Sequence, residues 1–234
     1  MGNAMRVSRN DDATPRSRRD LLESGVSRRA LAGSRWSSPH RGFHRDTVVN
    51  DPARQRILDA AVLLPDGGAV AGWAAAYLQG VSYLDGRDEP VLLAVPPGRL
   101  INRPGIAIMR AKLDPGDLVT RHGLPCTGGA RTAFDMLRRA PGLVEAVVAG
   151  DCLLHSGLVT EPALATYVAS RPGRRGIAQL REALSLLDPA TASPPESRLR
   201  MLCQRDAGLP RLLVNVPVYD VGGDSSASPI CSSR

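Results

Sequence analysis

Arginines offer most of the chemistry in this sequence. Arg28 and Arg29 directly follow Ser27, a residue type that caps helices, so the spacing places both in the first turn of a short helix. In a helix-turn-helix that turn enters the major groove or meets phosphates. Arg35 and Arg41 flank the stretch Trp36-Ser-Ser-Pro-His40, which leads through Gly42 to Phe43 and reads as a small β-wing packed by Trp36 and Phe43. A DNA contact and a solvated basic face both fit these four arginines. A second basic turn, Arg171 with Arg174 and Arg175, precedes a helix start, where anions are favoured. An exposed polar loop explains it as well.

Other reactive side chains fit structural roles. His40 and His44 are spaced i, i+4, and Cys152 and His155 are spaced i, i+3, but zinc needs four convergent ligands. Cys126, Cys152, Cys203 and Cys231 lie far apart, with no CxxC pair and no secretory segment, and read as reduced thiols of a cytoplasmic protein. Cys152 and Cys203 fall at apolar helical positions. His155 near a helix end and Trp73 in an alanine-rich helix read as a dipole partner and a packing residue. Ser193-Pro-Pro-Glu196 has capping-box spacing, in which Ser193 accepts from the amide of Glu196 and the Glu196 carboxylate returns a bond to Ser193. Phosphodiester hydrolysis requires several carboxylates converging on a metal ion. One glutamate cannot assemble that, and Asp206 and Asp220 fall on the following helix and in a turn. The expectation is a protein without catalysis, metal or cofactor.

Composition bounds the class. With 43% hydrophobic residues over 234 positions the chain can fill one sizeable core or a few small ones, and it is not of the disordered type. Residues 1–45 hold ten arginines against Asp11, Asp12, Asp20 and Glu23, so +6 of the net +7 sits in the first fifth. Lys112 is the only lysine, which suits phosphate recognition as well as a codon bias. No apolar run approaches the ~20 residues of a membrane-spanning helix.

The elements that must position these residues follow from capping and periodicity. Residues 1–13 are polar and aperiodic and read as a disordered tail. Residues 14–50 read as a reduced winged helix: Thr14-Pro15 caps a helix that runs Arg18 to Ser24 and stops at Gly25, and Ser27 caps a second helix through Ala32. Residues 51–135 form an α+β middle domain. It has a helix from Pro52 with Ile57, Ala61 and Leu64 on one stripe, a second over Gly72 to Leu78, and strands at Val91 to Val95 and Gly105 to Met109. Residues 136–192 read as a helical segment, with Thr160 capping one helix and Ile177, Leu180, Leu184 and Leu187 facing one way on another. Residues 193–220 give a helix and one strand, Leu213 to Tyr219, expected to lack its hairpin partner and so to be available for self-association. Residues 221–234 show no apolar alternation and read as a second disordered tail. The fold class is α+β.

Six motifs occur in a telling order. They are Gly25-Val-Ser-Arg-Arg-Ala-Leu31, His40-Arg41-Gly42, Gly123-Leu-Pro-Cys-Thr127 leading into Ala130-Arg-Thr-Ala-Phe-Asp135, Gly157-Leu-Val-Thr160, Pro172-Gly-Arg-Arg-Gly176 and Pro195-Glu-Ser-Arg-Leu-Arg200. Together, over nearly all of residues 17–220, they resemble bacterial proteins that join an AbiEi-type antitoxin winged-helix region to a Vsr-like, restriction-endonuclease-like C-terminal domain. The resemblance implies a DNA-directed antitoxin or transcriptional regulator, with a cognate toxin as partner, or a defence or repair nuclease. Glu196 matches the helical glutamate that helps such nucleases bind metal. The chain departs from that pattern where the first winged-helix helix would precede Thr14 and where later catalytic strands would follow Asp220. The expected function is therefore DNA binding without catalysis, with an inactive nuclease relic or a protein-binding partner subunit as the alternatives.

Overall fold

The computed structural model describes residues 14–98, 103–210, 212–216, 218–219, 225–227 and 231–232. The expected tail over 1–13 and the place of a preceding helix lie outside these. The chain packs as two compact units, one built from the chain through Gln79 and Asp85–Gly128, the other from Gly80–Leu84 and everything from Gly129 onward. The division falls at Gly128, ahead of the Asp135 boundary expected from sequence.

The first unit begins with β1 (Arg16–Ser17), α1 (Arg18–Glu23), α2 (Arg28–Leu31), β2 (Trp36–His40) and β3 (Phe43–Asp46). Ser17, not Thr14, caps α1: its Oγ accepts from the amide of Asp20 at 3.1 Å. Thr14-Pro15 instead leads into β1, which pairs antiparallel with β3 through Arg16 and His44. The sheet order is β1-β3-β2. Strand, two helices and a hairpin whose second strand returns to the first make a winged-helix arrangement. Leu21 and Leu31 anchor the helix pair from below, both buried.

The same unit continues with α3 (Pro52–Ala61), β4 (Ala69–Ala71), α4 (Gly72–Leu78), β5 (Val91–Val95), β6 (Ile106–Arg110), a 3-10 turn at Pro115–Asp117, β7 (Leu118–Arg121) and β8 (Leu124–Thr127). Asp51 caps α3 by accepting from the amide of Arg54 at 2.9 Å, and Pro52 follows in the first turn. The five strands lie in the order β6-β5-β4-β8-β7. β4 runs antiparallel to β5 and parallel to β8, β5 runs parallel to β6, and β7–β8 is a hairpin. His122 (φ 50) and Gly123 (φ 76) form its two-residue turn, which requires left-handed backbone at both positions. β4 is entirely buried, and so are Trp73, Ala74, Ala75 and Ala76 of α4, which directly follows it. Arg45 on β3 binds Asp59 on α3 at 3.0 Å, and Gln55 donates to the same carboxylate at 2.7 Å, fastening the wing to the sheet region.

The second unit is helical: α5 (Gly129–Arg139), α6 (Leu143–His155), α7 (Glu161–Ala169), α8 (Ile177–Leu184) and α9 (Pro194–Met201), the last running into a π turn over Leu202–Asp206. Every residue from Ala146 through Leu154 on α6 is buried, which makes it the hub for α5, α8 and α9. Four short strands close the described chain: β9 (Leu213–Val214), β10 (Val218–Tyr219), β11 (Ser225–Ala227) and β12 (Cys231–Ser232). β9 pairs with β12, and β10 with β11. Among the described residues, the strand expected to stand unpartnered at 213–219 is thus two short strands, each with a partner, and residues 225–227 and 231–232 of the expected tail supply those partners. Pairs this short, rich in serine, carry no alternation that a sequence reading could detect.

Candidate nucleic-acid interface

The winged-helix module presents its arginines outward because its apolar residues point the other way. Ser27 accepts from the amide of Ala30 at 3.1 Å, so α2 starts where the sequence places it. Arg28 and Arg29 are exposed in its only turn, and neither forms an ion pair among the described residues. Arg41 is exposed at the wing tip beside Gly42 (φ +85). The amide of Arg18 donates to the carbonyl of Gly42 at 2.7 Å, which brings the exposed Arg18 next to the wing tip. Sequence reasoning missed Arg18. Its signal was the Ser17 cap, which places it at the first helical position.

Arg35 differs from the other three expected residues. Its Nε meets Asp46 at 3.1 Å and its guanidinium carbon stands 5.9 Å from the centroid of Trp36, so it braces the base of the wing. The amide of Val48, ahead of Arg35, holds the Asp46 carboxyl below its ordinary value. Arg28, Arg29 and Arg41 therefore remain as the uncommitted cations from the sequence reading, joined by Arg18.

Glu196 sits at the start of α9 as a clasp. Its Oε1 accepts from the hydroxyl of Ser193 at 2.8 Å, and its Oε2 from the amide of Ala192 and the side-chain amide of Asn215, both at 2.9 Å. The capping box is thus altered: Ser193 donates to the carboxylate, and the returning backbone bond comes from Ala192. Asn215, in left-handed backbone at φ 54, also donates to the carbonyl of Ala190 at 2.8 Å, tying the end of β9 to the loop before α9. Partial burial pushes the Glu196 carboxyl up, but these hydrogen bonds outweigh it and the net direction is down. A lowered carboxyl contributes stability above its unfolded value and loses it as pH falls through the folded one. Glu196→Gln is expected to cost about 1–2 kcal/mol at neutral pH, because the new amide group faces donors. That deficit should shrink in acid, as pH falls through the folded value of the wild-type carboxyl, which lies below that of an ordinary glutamate. Urea unfolding of both proteins at neutral and at acid pH measures it.

Asp151 was missed by the sequence reading. It is fully buried at the middle of α6 and accepts from the amide of Asp188 (2.8 Å), the hydroxyl of Ser197 (2.7 Å) and Nη2 of Arg200 (2.7 Å). Burial pushes its carboxyl up, against the pull of the Asp188 amide, Arg200 and Ser197. The signal was a lone acid in the apolar run Val147-Val-Ala-Gly-Asp-Cys-Leu-Leu154. This cluster holds α9 and the 188 turn on α6, and its oxygens are all taken.

Burial likewise pushes the Cys126 and Cys152 thiols up to about 11, which leaves them unreactive at neutral pH. His155 meets the carbonyl of Pro189 at 3.1 Å through Nδ1, and Trp73 donates to the carbonyl of Pro90 at 2.9 Å, so both have structural partners. Among the described residues no group of three or more His, Cys, Asp or Glu gathers as a metal site would require. No helix among them is long and apolar enough to cross a membrane. No family model and no curated protein matches the chain.

Proposed function

We propose that this chain is a non-catalytic DNA-binding protein of the antitoxin or transcriptional-regulator type, acting in the cytoplasm and contacting DNA through its N-terminal winged helix. The observation that carries this reading is the exposed placement of Arg28 and Arg29, without an ion pair among the described residues, on a helix rooted by Leu31, with Arg41 and Arg18 beside the wing tip. Such a helix meets the major groove with its first turn while a wing follows the backbone. Phosphate contacts of this kind supply affinity with little sequence information. A nuclease role for Glu196 draws no support from its geometry, since both carboxylate oxygens serve the clasp between α9 and β9.

Anisotropy of a labelled duplex titrated with the protein tests this. If three or four phosphates are neutralised by the winged helix, that surface by itself contributes roughly −3 to the slope of log affinity against log salt. Arg28→Ala with Arg29→Ala should make that slope shallower by about two and weaken binding to unrelated sequences alike. The duplex should be recovered intact in Mg²⁺ or Mn²⁺. Binding that is independent of salt and of these two arginines, or cleavage lost in Glu196→Ala, would overturn the reading.

A further inference from the structure

The helical unit gathers a second set of arginines from distant parts of the chain. Arg138 and Arg139 end α5, and the turn Arg171 to Gly176 leads into α8. Gln179 brings these segments together by donating to the carbonyls of Leu137 and Ala140 at 3.0 and 3.1 Å, which satisfies the open end of α5. Gly176 seals the junction: at φ +82 its backbone lies so close to α5 that an added Cβ would stand 2.0 Å from the carbonyl oxygen of Arg138. Arg138 Nη1 reaches the carbonyl of Arg175 at 3.4 Å. The approach is thus enforced by packing.

Of the arginines so gathered, Arg138 is paired with the buried Asp135, at 2.6 Å, which it shares with Arg131. Arg171 lies over the ring of Tyr167, 4.2 Å from its centroid. Arg139, Arg174 and Arg175 are exposed, and none pairs with a carboxylate among the described residues. Their placement is not explained by helix electrostatics. The dipole of α5 favours Arg138 and Arg139 at its C-terminus, but that of α8 disfavours cations at its N-terminus, where Arg174 and Arg175 stand. Three exposed guanidinium groups, none with a carboxylate partner among the described residues, are thus carried on adjoining segments, two of them against the local field. A polyanion laid across these segments would remove the repulsion, and guanidinium forks match phosphate oxygens.

We infer that the face formed by Arg139, Arg174 and Arg175 is a second nucleic-acid surface that binds the phosphodiester backbone without reading bases. It rests on the DNA-binding reading above only for the identity of the polyanion, since it belongs to the helical unit and uses none of the winged-helix arginines.

The test uses the full chain and a labelled duplex of about 30 base pairs. Replacing all three arginines with glutamine is expected to weaken binding at least tenfold near about 0.1 M salt and to make the salt slope shallower by two to three. The change should be equal for unrelated sequences, as befits backbone contact. Each single replacement should reduce the slope by about one, which keeps the inference testable if the triple variant is poorly folded. Unchanged affinity and slope in a triple variant that melts like wild type would overturn it. So would an equal loss of affinity for polyglutamate of matched charge, which would make the face a dock for acidic protein. If Arg28→Ala with Arg29→Ala leaves binding intact while the glutamine variant weakens it, this surface stands and the winged-helix reading falls. The reverse pattern keeps the winged helix and removes this surface.

Discussion

Asp151→Ala is expected to lower the unfolding free energy by about 3–5 kcal/mol, because it strands a buried cation. Arg200 is 3% exposed, and its Nη2 points at Asp151 from 2.7 Å. Without the carboxylate that charge stays in the interior unpaired, and the amide of Asp188 and hydroxyl of Ser197 lose their acceptor as well. Asp151→Asn keeps the volume and one acceptor, and should cost less. The pair Asp151→Leu with Arg200→Met should be less damaged than the alanine variant, since the attraction between buried ions is offset by their desolvation. Urea unfolding followed by circular dichroism reads all three. A loss below about 1 kcal/mol for the alanine variant would mean that Arg200 reaches water and that α9 is held differently.

Gly86→Ala should be nearly as damaging, by about 2–4 kcal/mol, through overpacking and left-handed strain together. Gly86 has φ +61, and a Cβ there would lie 2.1 Å from Cε2 of Trp73. The ring cannot yield. Arg56 covers it, with its guanidinium carbon 5.1 Å from the ring centroid, and its Nη1 and Nη2 donate to the carbonyls of Gly86 and Glu89. Trp73 Nε1 meanwhile binds the carbonyl of Pro90. The loop between α4 and β5 is therefore buttoned over the indole. In a Trp73→Leu background the space clash disappears, and the glycine substitution should cost only its conformational strain. Equal costs in both backgrounds would show that the contact with the ring is not what fixes this loop.

Elements with a long period or a strong cap can be read from residues alone. α3 and α8 follow their apolar stripes, α2 starts after its Ser27 cap, and β5 and β6 appear as apolar runs bounded by glycine and proline. Thr14 looks like the cap because a proline follows it, whereas Ser17 acts once β1 pairs with β3. β4 escaped notice because three small residues carry no period, and its place at the sheet centre comes from partners on both sides. β7 and β8 were hidden by Pro125 and by the polar edge residues Thr120 and Arg121, although His122-Gly123 marks their turn. Among the four candidate arginines, charge and position foretell exposure for Arg28, Arg29 and Arg41. The engagement of Arg35 depends on hairpin register, which sets Trp36 opposite Asp46. Arg139 and Arg174 are 35 positions apart, and only the packing of α8 on α5 brings their segments side by side.

Amide hydrogen exchange of the full chain, with and without a saturating duplex at low salt, tests DNA recognition by the winged helix most directly. Slowed exchange over Ser27 to Asp46, covering α2 and the wing, is the expected result, and Arg28→Ala with Arg29→Ala should diminish it. Slowing at the end of α5 and in the turn before α8 is compatible with it. A saturated complex in which Ser27 to Asp46 exchanges as in the free protein would contradict it.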